Sequence, residues 1–353
     1  MTTDRSGAGA ASRLRNVNAS PRRRPTISDV AAEAGVSRGT VSRVLTGGHW
    51  VSPEALAAVT AAIKSTGYRV NPHARSLATK RTGSIGFLLT ESSEQLFEDP
   101  NFATLLRGVA QAVEKADLSL VVLMAGSASE QRRASDFIQQ GHVDGVLLVS
   151  WHSSGSDLIG QLHSAGIPVI ACGVPLGHEK KIGWVAADDM EGARTAVAHL
   201  RSIGRTRIAT IAGPEDTSGG RQRLTGYRDE LGDDFAASLV EVGDYSEASG
   251  VAAMTALLAR EPGLDAVFAA NDRMAAGAIE VLKASGRSIP GDVAVIGFDD
   301  SPTASRTSPT ITTMHQPFER ISAEMVRLLL QVIDGEPPAA MTLPTQLVRR
   351  ESA

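Results

Sequence analysis

Residues 26–45 read TISDVAAEAGVSRGTVSRVL, which predicts two short helices joined by a tight turn. One face of the first helix carries apolar residues at three-to-four spacing, namely Ile27, Val30, Ala31 and Ala34. Gly35 supplies the backbone freedom that the turn requires. Ser37 is a good N-cap for a second helix that runs to about Leu45. The stretch therefore predicts a helix-turn-helix.

The second helix separates an apolar face from a polar one. The apolar residues Val36, Val41, Val44 and Leu45 can pack against the first helix, which leaves Arg38, Gly39, Ser42 and Arg43 facing outward. Short polar and basic side chains on such a face suit the major groove of DNA. The alternative is an ordinary helical hairpin with a solvated basic face. The string AGVS followed by TVSR is too specific for that alternative.

A third helix is expected next. Ser52 caps it, Pro53 occupies its first position and Gly67 ends it. Its apolar stripe is Leu56, Val59 and Ile63. Three short helices are about the minimum for a single small core. We place a DNA-binding domain at residues 25–70.

The flanking segments differ from this domain. Residues 1–24 lack any hydrophobic period and predict a disordered basic tail, whose arginines at 22–24 either contact the DNA backbone or form a solvated arm. Residues 71–82 predict a hinge helix or linker, since Asn71 and Pro72 form an N-cap and first-turn pair. A helix that short needs a partner to be stable, which is DNA, a second chain or both.

Charge is unevenly distributed along the chain. Residues 1–82 carry 13 Lys and Arg against 4 Asp and Glu, whereas the remaining 271 residues carry 22 against 35. A basic head on an acidic body indicates that the head alone approaches phosphate, with chance clustering as the alternative.

The body, residues 83–350, alternates apolar runs with helix-period segments. Seven runs predict strands: 85–89, 120–124, 143–149, 167–171, 207–211, 266–269 and 293–298. This alternation predicts doubly wound parallel α/β units. The length favours two similar lobes with a cleft between them.

Composition limits the class of protein. Cys172 is the single cysteine, so no disulfide framework can form within one chain, and a reducing cytoplasm fits. Because no apolar run has transmembrane length and the N-terminus lacks a signal-peptide core, we expect a cytoplasmic, nucleoid-associated protein without membrane contact. We expect no metal and no cofactor.

Seven strings in order along residues 25–350 carry a resemblance: TISDVAAEAGVS, TVSRVL, ARSLAT, SIGFLL, ANDRMAAGA, VAVIGFDD and TTMHQPF. They closely resemble the lactose-repressor (LacI/GalR) family of bacterial transcription regulators. The resemblance implies a small all-α helix-turn-helix head and an α/β two-lobed body like a type I periplasmic binding protein, with doubly wound parallel sheets. It also implies a homodimer that binds a near-palindromic double-stranded DNA operator. The two lobes of each body are expected to close on a small effector.

The resemblance assigns DNA contacts to matching positions. Arg38, Gly39 and Arg43 match base readers, although Gly39 has no side chain where other members carry Gln or another long residue. Ser37, Thr40 and Ser42 match phosphate contacts or caps. Leu77 matches a hinge leucine that wedges into the minor groove, or else it packs inside the body. The implied set also contains Thr26, Asn71 and Arg75.

The resemblance also points to effector residues. Arg223 matches an effector-holding Arg, and Asp299 follows a strand at the end where α/β folds bind ligands. Together they either grip vicinal hydroxyls or form a structural salt bridge. Asn271 is a weaker candidate, beside Asp272 as a helix N-cap. Gln316 matches a site near the lobe crossover.

Further cleft candidates rest on position. Asn101 and Phe102 start the first body helix, and Trp151 follows a strand with His152. Trp151 or Trp184 either stacks on a sugar ring or belongs to the core. The acidic loop at 91–100 either widens the cleft for an oligosaccharide or is a surface insertion.

Three other functions share parts of this sequence pattern. An enzyme lacks support, because no phosphate-binding G-x-x-x-x-G-K-[ST], no G-x-S-x-G and no metal-spaced His/Cys cluster occurs. A free sugar-binding protein would need a signal peptide and no DNA-binding head. The third rival keeps the architecture and senses a purine, nucleoside or partner protein as corepressor. We predict a ligand-responsive repressor that senses a saccharide. We expect a dimer, because no leucine-heptad tail is present to form a tetramer. Whether the ligand weakens or strengthens DNA binding stays open.

Overall fold

The computed structural model describes residues 25–45, 51–68, 81–155 and 157–353. The chain forms two compact units, Met1–Lys80 and Arg81–Ala353, which we call the head and the body. The tail at 1–24 and the hinge residues at 71–80, including Asn71, Arg75 and Leu77, lie outside the described residues.

The described part of the head contains three helices, α1 (Ile27–Ala34), α2 (Arg38–Leu45) and α3 (Pro53–Thr66). Gly35 ends α1 with a φ of 66°, and Gly67 ends α3 with a φ of 68°, so both predicted turns are confirmed. Ser52 Oγ accepts from the Ala55 N–H at 3.3 Å at the start of α3. These caps satisfy backbone groups that a short helix leaves unpaired.

The head core is small and apolar, with Val30, Val41 and Val59 fully buried. The prediction for Leu56 is wrong, because its side chain is 49% exposed. The eight-residue α1 and α2 cover the later part of the 14-residue α3 and leave its first turn open. Ala62 completes the buried stripe instead.

The body consists of twelve strands and ten α-helices in the part of the chain described. In order these are β1 (Ser84–Leu89), α4 (Ser93–Glu98), α5 (Pro100–Lys115), β2 (Ser119–Met124), α6 (Ala128–Gln139), β3 (Gly145–Val149), α7 (Leu158–Ser164), β4 (Val169–Cys172), β5 (Gly183–Ala187), α8 (Asp189–Ser202), β6 (Ile208–Ala212), α9 (Ser218–Leu231), β7 (Val240–Val242), α10 (Glu247–Arg260), β8 (Ala266–Ala269), α11 (Asp272–Ala284), β9 (Ala294–Asp299), α12 (Pro302–Arg306), β10 (Thr312–His315), α13 (Phe318–Ile333), β11 (Ala340–Leu343) and β12 (Gln346–Val348).

Two six-stranded sheets define two lobes. The first-lobe sheet has the order β11-β5-β4-β3-β1-β2 and is wholly parallel. The second-lobe sheet has the order β12-β10-β9-β8-β6-β7 and is parallel except for the β10–β12 pair. Helices cover both faces of each sheet, which explains why the central strands are continuously apolar. The predicted two-lobed α/β fold is confirmed.

The chain passes between the lobes three times: between β5 and α8, between β10 and α13, and between β11 and β12. The carboxyl ends of the strands in both sheets lead into loops that line one cleft. The predicted loop at 91–100 needs correction, because α4 occupies most of it. Ser92 Oγ caps that helix by accepting from the Gln95 N–H at 3.2 Å.

None of the helices in the described ranges combines the length and the apolar composition that a bilayer span requires.

Candidate functional sites

The outward face of α2 in the head is polar and basic. Arg38, Ser42 and Arg43 are exposed, and Arg43 Nε donates to the Gly39 carbonyl at 3.2 Å. Within the described head, a Cβ at Gly39 would meet one atom within 4 Å, the Ser37 hydroxyl at 3.6 Å. The helix surface is therefore flat at Gly39, where another molecule can approach the backbone closely.

Three hydroxyl side chains of the predicted DNA surface organise helix starts. Ser37 Oγ accepts from the Thr40 N–H at 3.1 Å, and the two hydroxyls lie 2.9 Å apart. The Thr26 N–H and hydroxyl donate to the Asp29 carboxylate at 2.7 and 2.8 Å. Ser37 is thus the N-cap that the sequence predicted. Contacts of these residues with phosphate stay a prediction.

A single cleft in the body brings together all seven predicted effector residues. Its lining includes Asn101, Phe102, Trp151, Arg223, Asn271, Asp299 and Gln316. Trp184 lies in β5 and packs in a first-lobe core, away from this lining. Trp184 is therefore a core residue.

Arg223 is the centre of the polar floor. Its Nε and Nη2 lie 2.8 and 2.7 Å from Asp189 Oδ1, and its Nη1 lies 3.6 Å from Asp299 Oδ1. Nη1 also donates to the Ala270 carbonyl at 2.5 Å, and the guanidinium carbon lies 3.8 Å from the centre of the Phe298 ring. A buried guanidinium is stable there because two carboxylates and an aromatic face surround it.

Close helix packing produces this pairing. Arg223 lies on α9 and Asp189 begins α8. A Cβ at Gly226, one turn after Arg223, would collide with the Met190 carbonyl of α8. Glycine therefore lets the two helices approach until the guanidinium reaches the carboxylate.

Asp299 joins the two lobes at the floor. Its Oδ2 accepts from Asn101 Nδ2 of the first lobe at 2.7 Å, and its Oδ1 accepts from Gln316 Nε2 at the crossover at 2.6 Å. Burial raises the pKa of Asp299 well above its usual value, although Arg223 opposes that rise. Burial also raises the pKa of Asp99, whose carboxylate accepts from the Asn101 N–H at 2.9 Å.

Asn271 lines the cleft as predicted and also takes the capping role that the sequence suggested for Asp272. Asn271 Oδ1 caps α11 by accepting from the Met274 N–H at 2.8 Å, and its Nδ2 donates to the Tyr245 carbonyl at 2.9 Å. Asp272 is fully buried, accepts from the Thr313 hydroxyl at 2.5 Å, and has a pKa raised to about 7 by burial. Asn271 thus lines the cleft as a capping residue whose amide is already bonded.

The first lobe supplies most of the apolar wall. Its lining side chains include Phe102, Leu105, Trp151, Phe318 and Ile321. The Trp151 ring contacts His178 edge-on at 6.0 Å, and its buried indole N–H has no acceptor among the described residues. An aromatic wall with an unsatisfied N–H suits a ring that carries hydroxyls.

Backbone strain is concentrated at this cleft. Five non-glycine residues have positive φ in the described ranges, and three of them, Ser150 (61°), Tyr245 (70°) and Asp299 (111°), line it. Such conformations persist where surrounding contacts fix them, and they cluster at ligand sites. This distribution is a second observation, independent of the polar floor, that favours the cleft as the candidate functional site of the body.

The opening of the cleft carries a second charged cluster. His152 Nε2 lies 2.7 Å from Glu91 Oε1 in the first lobe, and its Nδ1 lies 3.1 Å from Asp216 Oδ1 in the second. The hydrogen bond with Glu91 raises the pKa of His152 to about 9, with both carboxylates adding to the effect and burial opposing it. At neutral pH, His152 is therefore a cation between two anions.

Sequence reasoning missed several lining residues, chiefly Glu91, Gln95, Asp99, Asp189 and Tyr245. Asp189 follows β5 and Tyr245 follows β7, two short strands that the sequence analysis did not recognise. The rule that ligands bind at strand carboxyl ends would have found both once those strands were known. Among the described residues, no group of three or more His, Cys, Asp or Glu side chains is arranged to hold a metal ion.

Comparison with known proteins agrees with both units. The model for bacterial regulatory proteins of the lacI family matches residues 26–71, and that for a periplasmic binding protein-like domain matches residues 197–353. The HTH-type transcriptional regulator CelR of Thermobifida fusca is 44% identical over 337 residues, covering 94% of this chain and 99% of that protein. The HTH-type transcriptional regulator GalR of Escherichia coli (strain K12) is 32% identical, covering 93% and 95%.

Two solved structures extend the comparison. A transcriptional regulator CelR-cellobiose complex has a TM-score of 0.75 at 42% identity, covering 94% of this chain and 100% of that one. The Lac repressor dimer bound to operator and the anti-inducer ONPF has a TM-score of 0.81 at 27% identity, covering 94% and 99%. The matched relatives share the head, the two-lobed body and nearly the full length, and the chain therefore belongs to the lacI family of bacterial regulatory proteins.

Proposed function

We propose that this chain is a homodimeric repressor whose grip on operator DNA is controlled by a neutral saccharide bound in the body cleft. The observation that carries the effector assignment is the neutralised Arg223 at the cleft floor. Its guanidinium lies within hydrogen-bonding distance of Asp189 and faces Asp299. A ligand therefore meets a hydrogen-bonding network and no unpaired cation there.

The charge of the cleft argues for an uncharged ligand. Four carboxyl groups line it, those of Glu91, Asp99, Asp189 and Asp299, and the two neighbouring cations, Arg223 and His152, are already paired with carboxylates. A phosphate or carboxylate would lose hydration there and would find no unpaired cation to replace it. Hydroxyl groups can instead donate to carboxylates in charge-assisted hydrogen bonds.

The aromatic wall supports a ring-shaped ligand. Phe102 and Trp151 offer apolar faces, and the Trp151 N–H lacks an acceptor within the described body. The CelR relative is known from its structure as a cellobiose complex. We therefore propose a short β-linked glucose oligomer, such as cellobiose, as the effector class.

A nucleobase would also stack on this wall, so binding by calorimetry should decide between the two ligands. We expect the full-length chain to bind cellobiose, and to bind glucose 6-phosphate, guanine and hypoxanthine at least tenfold more weakly. If guanine or hypoxanthine binds more tightly than any saccharide, the effector is a purine corepressor and the saccharide proposal is wrong. Incubation with cellobiose should release no glucose, because we propose binding without turnover.

The head supplies the proposed DNA surface. Arg38 and Arg43 are exposed on α2, whose residues include no acidic side chain. An arginine that reaches the O6 and N7 atoms of guanine contributes about 1–3 kcal/mol of discrimination. We propose base reading by these two arginines, phosphate contacts by Thr26, Ser37, Thr40 and Ser42, and action on chromosomal DNA in the cytoplasm.

Operator selection from random duplex DNA tests the head. We expect a near-palindromic sequence, and we expect Arg43→Ala to weaken binding to that sequence much more than binding to scrambled DNA. Equal losses on both would contradict base reading. The selected duplex also allows the hinge proposal for Leu77 to be tested, since Leu77→Ala should reduce DNA bending.

Edge strands support the proposed dimer. Val122 on β2 and Val242 on β7 are 43% and 54% exposed, and each strand lies at the edge of its sheet. Exposed apolar edge strands invite pairing with another chain unless they are covered. A second copy of the body would cover both edges.

A further inference from the structure

The segment from Glu91 to Asp99, which we call the strap, connects β1 with α5 and contains α4. It belongs to the first lobe, because Leu96 packs against the first-lobe core. A Cβ at Gly126, just after β2, would collide with the Glu91 backbone. The absence of a side chain at Gly126 therefore lets the start of the strap pack directly against the end of β2. The strap is thus seated on the first lobe.

One side of the strap faces the cleft. Glu91, Gln95 and Asp99 recur at four-residue spacing and all line the cleft. Phe97 lies on the other side and is 86% exposed. The Gln95 side-chain amide has no hydrogen-bond partner among the described residues, so its donors and acceptor are available to a ligand. The strap therefore forms a polar cover along one edge of the cleft.

The strap also reaches the second lobe near both of its ends. Glu98 Oε2 lies 3.0 Å from Arg273 Nη2 on α11, and the Arg273 side chain is only 13% exposed. At the other end, Glu91 bonds His152, which in turn contacts Asp216 of the second lobe at 3.1 Å. Both connections cross the gap between the lobes.

Fastening at both ends limits what the cleft can enclose. A ligand that fits beneath the strap leaves both connections intact. A longer ligand that projects past Gln95 must displace the strap, which separates Glu98 from a mostly buried Arg273. An uncompensated buried cation is costly, so the longer ligand binds less tightly.

We propose that the strap is a length filter that favours short saccharides, with Glu98 and Arg273 as its release point. This inference rests on the proposed saccharide effector. Glu98 acts as a positioning residue, because it holds the strap in place without lining the cleft.

The test compares cellobiose with cellotetraose by calorimetry on the full chain. The wild-type protein should prefer cellobiose at least tenfold. Glu98→Gln should reduce that preference at least threefold, mainly by improving cellotetraose binding. Glu94→Gln is the matched control, because Glu94 is exposed on the same helix and makes no ion pair in the described body; it should keep the wild-type preference.

An unchanged preference in Glu98→Gln, with cellobiose binding intact, would overturn the length filter while sparing the saccharide proposal. Failure of the wild-type chain to bind either sugar would overturn both. Amide hydrogen exchange gives a second readout. Exchange over residues 92–99 should slow with cellobiose and not with cellotetraose, and equal slowing would contradict the filter.

Discussion

The two lobes share one strand order and contribute different chemistry to the cleft. The second lobe supplies a buried ionic network built on Arg223, Asp189 and Asp299, whose groups are already paired. The first lobe supplies apolar and aromatic side chains, with a strap whose Gln95 amide is unpaired in the described chain. The second lobe therefore presents a paired polar floor, whereas the first lobe presents stacking surfaces and an amide that is available to a ligand.

Removing the centre of the floor should have the largest effect. Arg223→Ala leaves Asp189 and Asp299 buried without their cation, so we expect a loss of about 3–5 kcal/mol in unfolding free energy. The effector response should disappear as well. Denaturant unfolding and calorimetry measure the two effects, with Arg221→Ala, an exposed neighbour on α9, as control.

A compensating variant separates stability from binding. Adding Asp189→Asn to Arg223→Ala removes one of the unpaired carboxylates, so part of the lost stability should return while the effector response stays absent. Full recovery of the response in the double variant would show that the floor contributes only to folding.

The edge strands are the feature in which the lobes are alike. Val122→Lys and Val242→Lys each place a charge on an edge that we propose is covered by the second copy. We expect either change to weaken the dimer at least tenfold in sedimentation equilibrium. If both variants dimerise as tightly as the wild type, the dimer must use another surface.

The aromatic wall should contribute affinity as well as packing, because Trp151 lines the cleft and also packs against a first-lobe core. Trp151→Ala removes a stacking face, worth about 0.5–1.5 kcal/mol, and should weaken cellobiose binding up to about tenfold. Trp184→Phe, a change in the core of the same lobe, should leave cellobiose affinity unchanged. Similar losses in both variants would indicate a general disturbance of the first lobe.

The smallest expected effect depends on pH. His152 faces Glu91 from the strap and Asp216 from the loop after β6, and its pKa is raised to about 9. Because the folded pKa is raised, this stabilisation is complete below the unfolded value of about 6.5 and is lost as the pH rises through about 9. The free energy of unfolding should therefore decline over that window.

His152→Gln should flatten this decline, whereas His163→Gln, at an exposed site on α7, should not. Denaturant unfolding at several pH values measures both variants. A decline that survives in His152→Gln would assign the titration to another group.

Sequence patterns were sufficient where one element decides its own structure. The glycine turn at Gly35 and the cap at Ser37 are local features, so both could be predicted from the sequence. The prediction that Leu56 is buried failed, because burial of that side chain depends on whether another helix covers the first turn of α3. The seven longer apolar runs likewise identified the sheets, since central parallel strands are apolar on both faces.

The cleft exceeded what sequence patterns could show, because its contacts join distant segments. The family match of Arg223 and the strand-end position of Asp299 placed both in the cleft, yet Asp189 as the partner of Arg223 depends on how α8 and α9 pack. The sequence predicted a loop where the strap contains α4, because a helix of only six residues is too short to show a clear hydrophobic period. Trp151 and Trp184 carry the same local signal, and only the sheet topology separates cleft from core.

The most direct test of the central claim is thermodynamic linkage between the head and the cleft. Fluorescence anisotropy with the selected operator gives the factor by which saturating cellobiose changes DNA affinity, and calorimetry with and without operator gives the reciprocal factor. Linkage requires the two factors to be equal, and we predict that both are at least fivefold. Cellobiose that binds the cleft and leaves operator affinity unchanged would contradict control of DNA binding through this site.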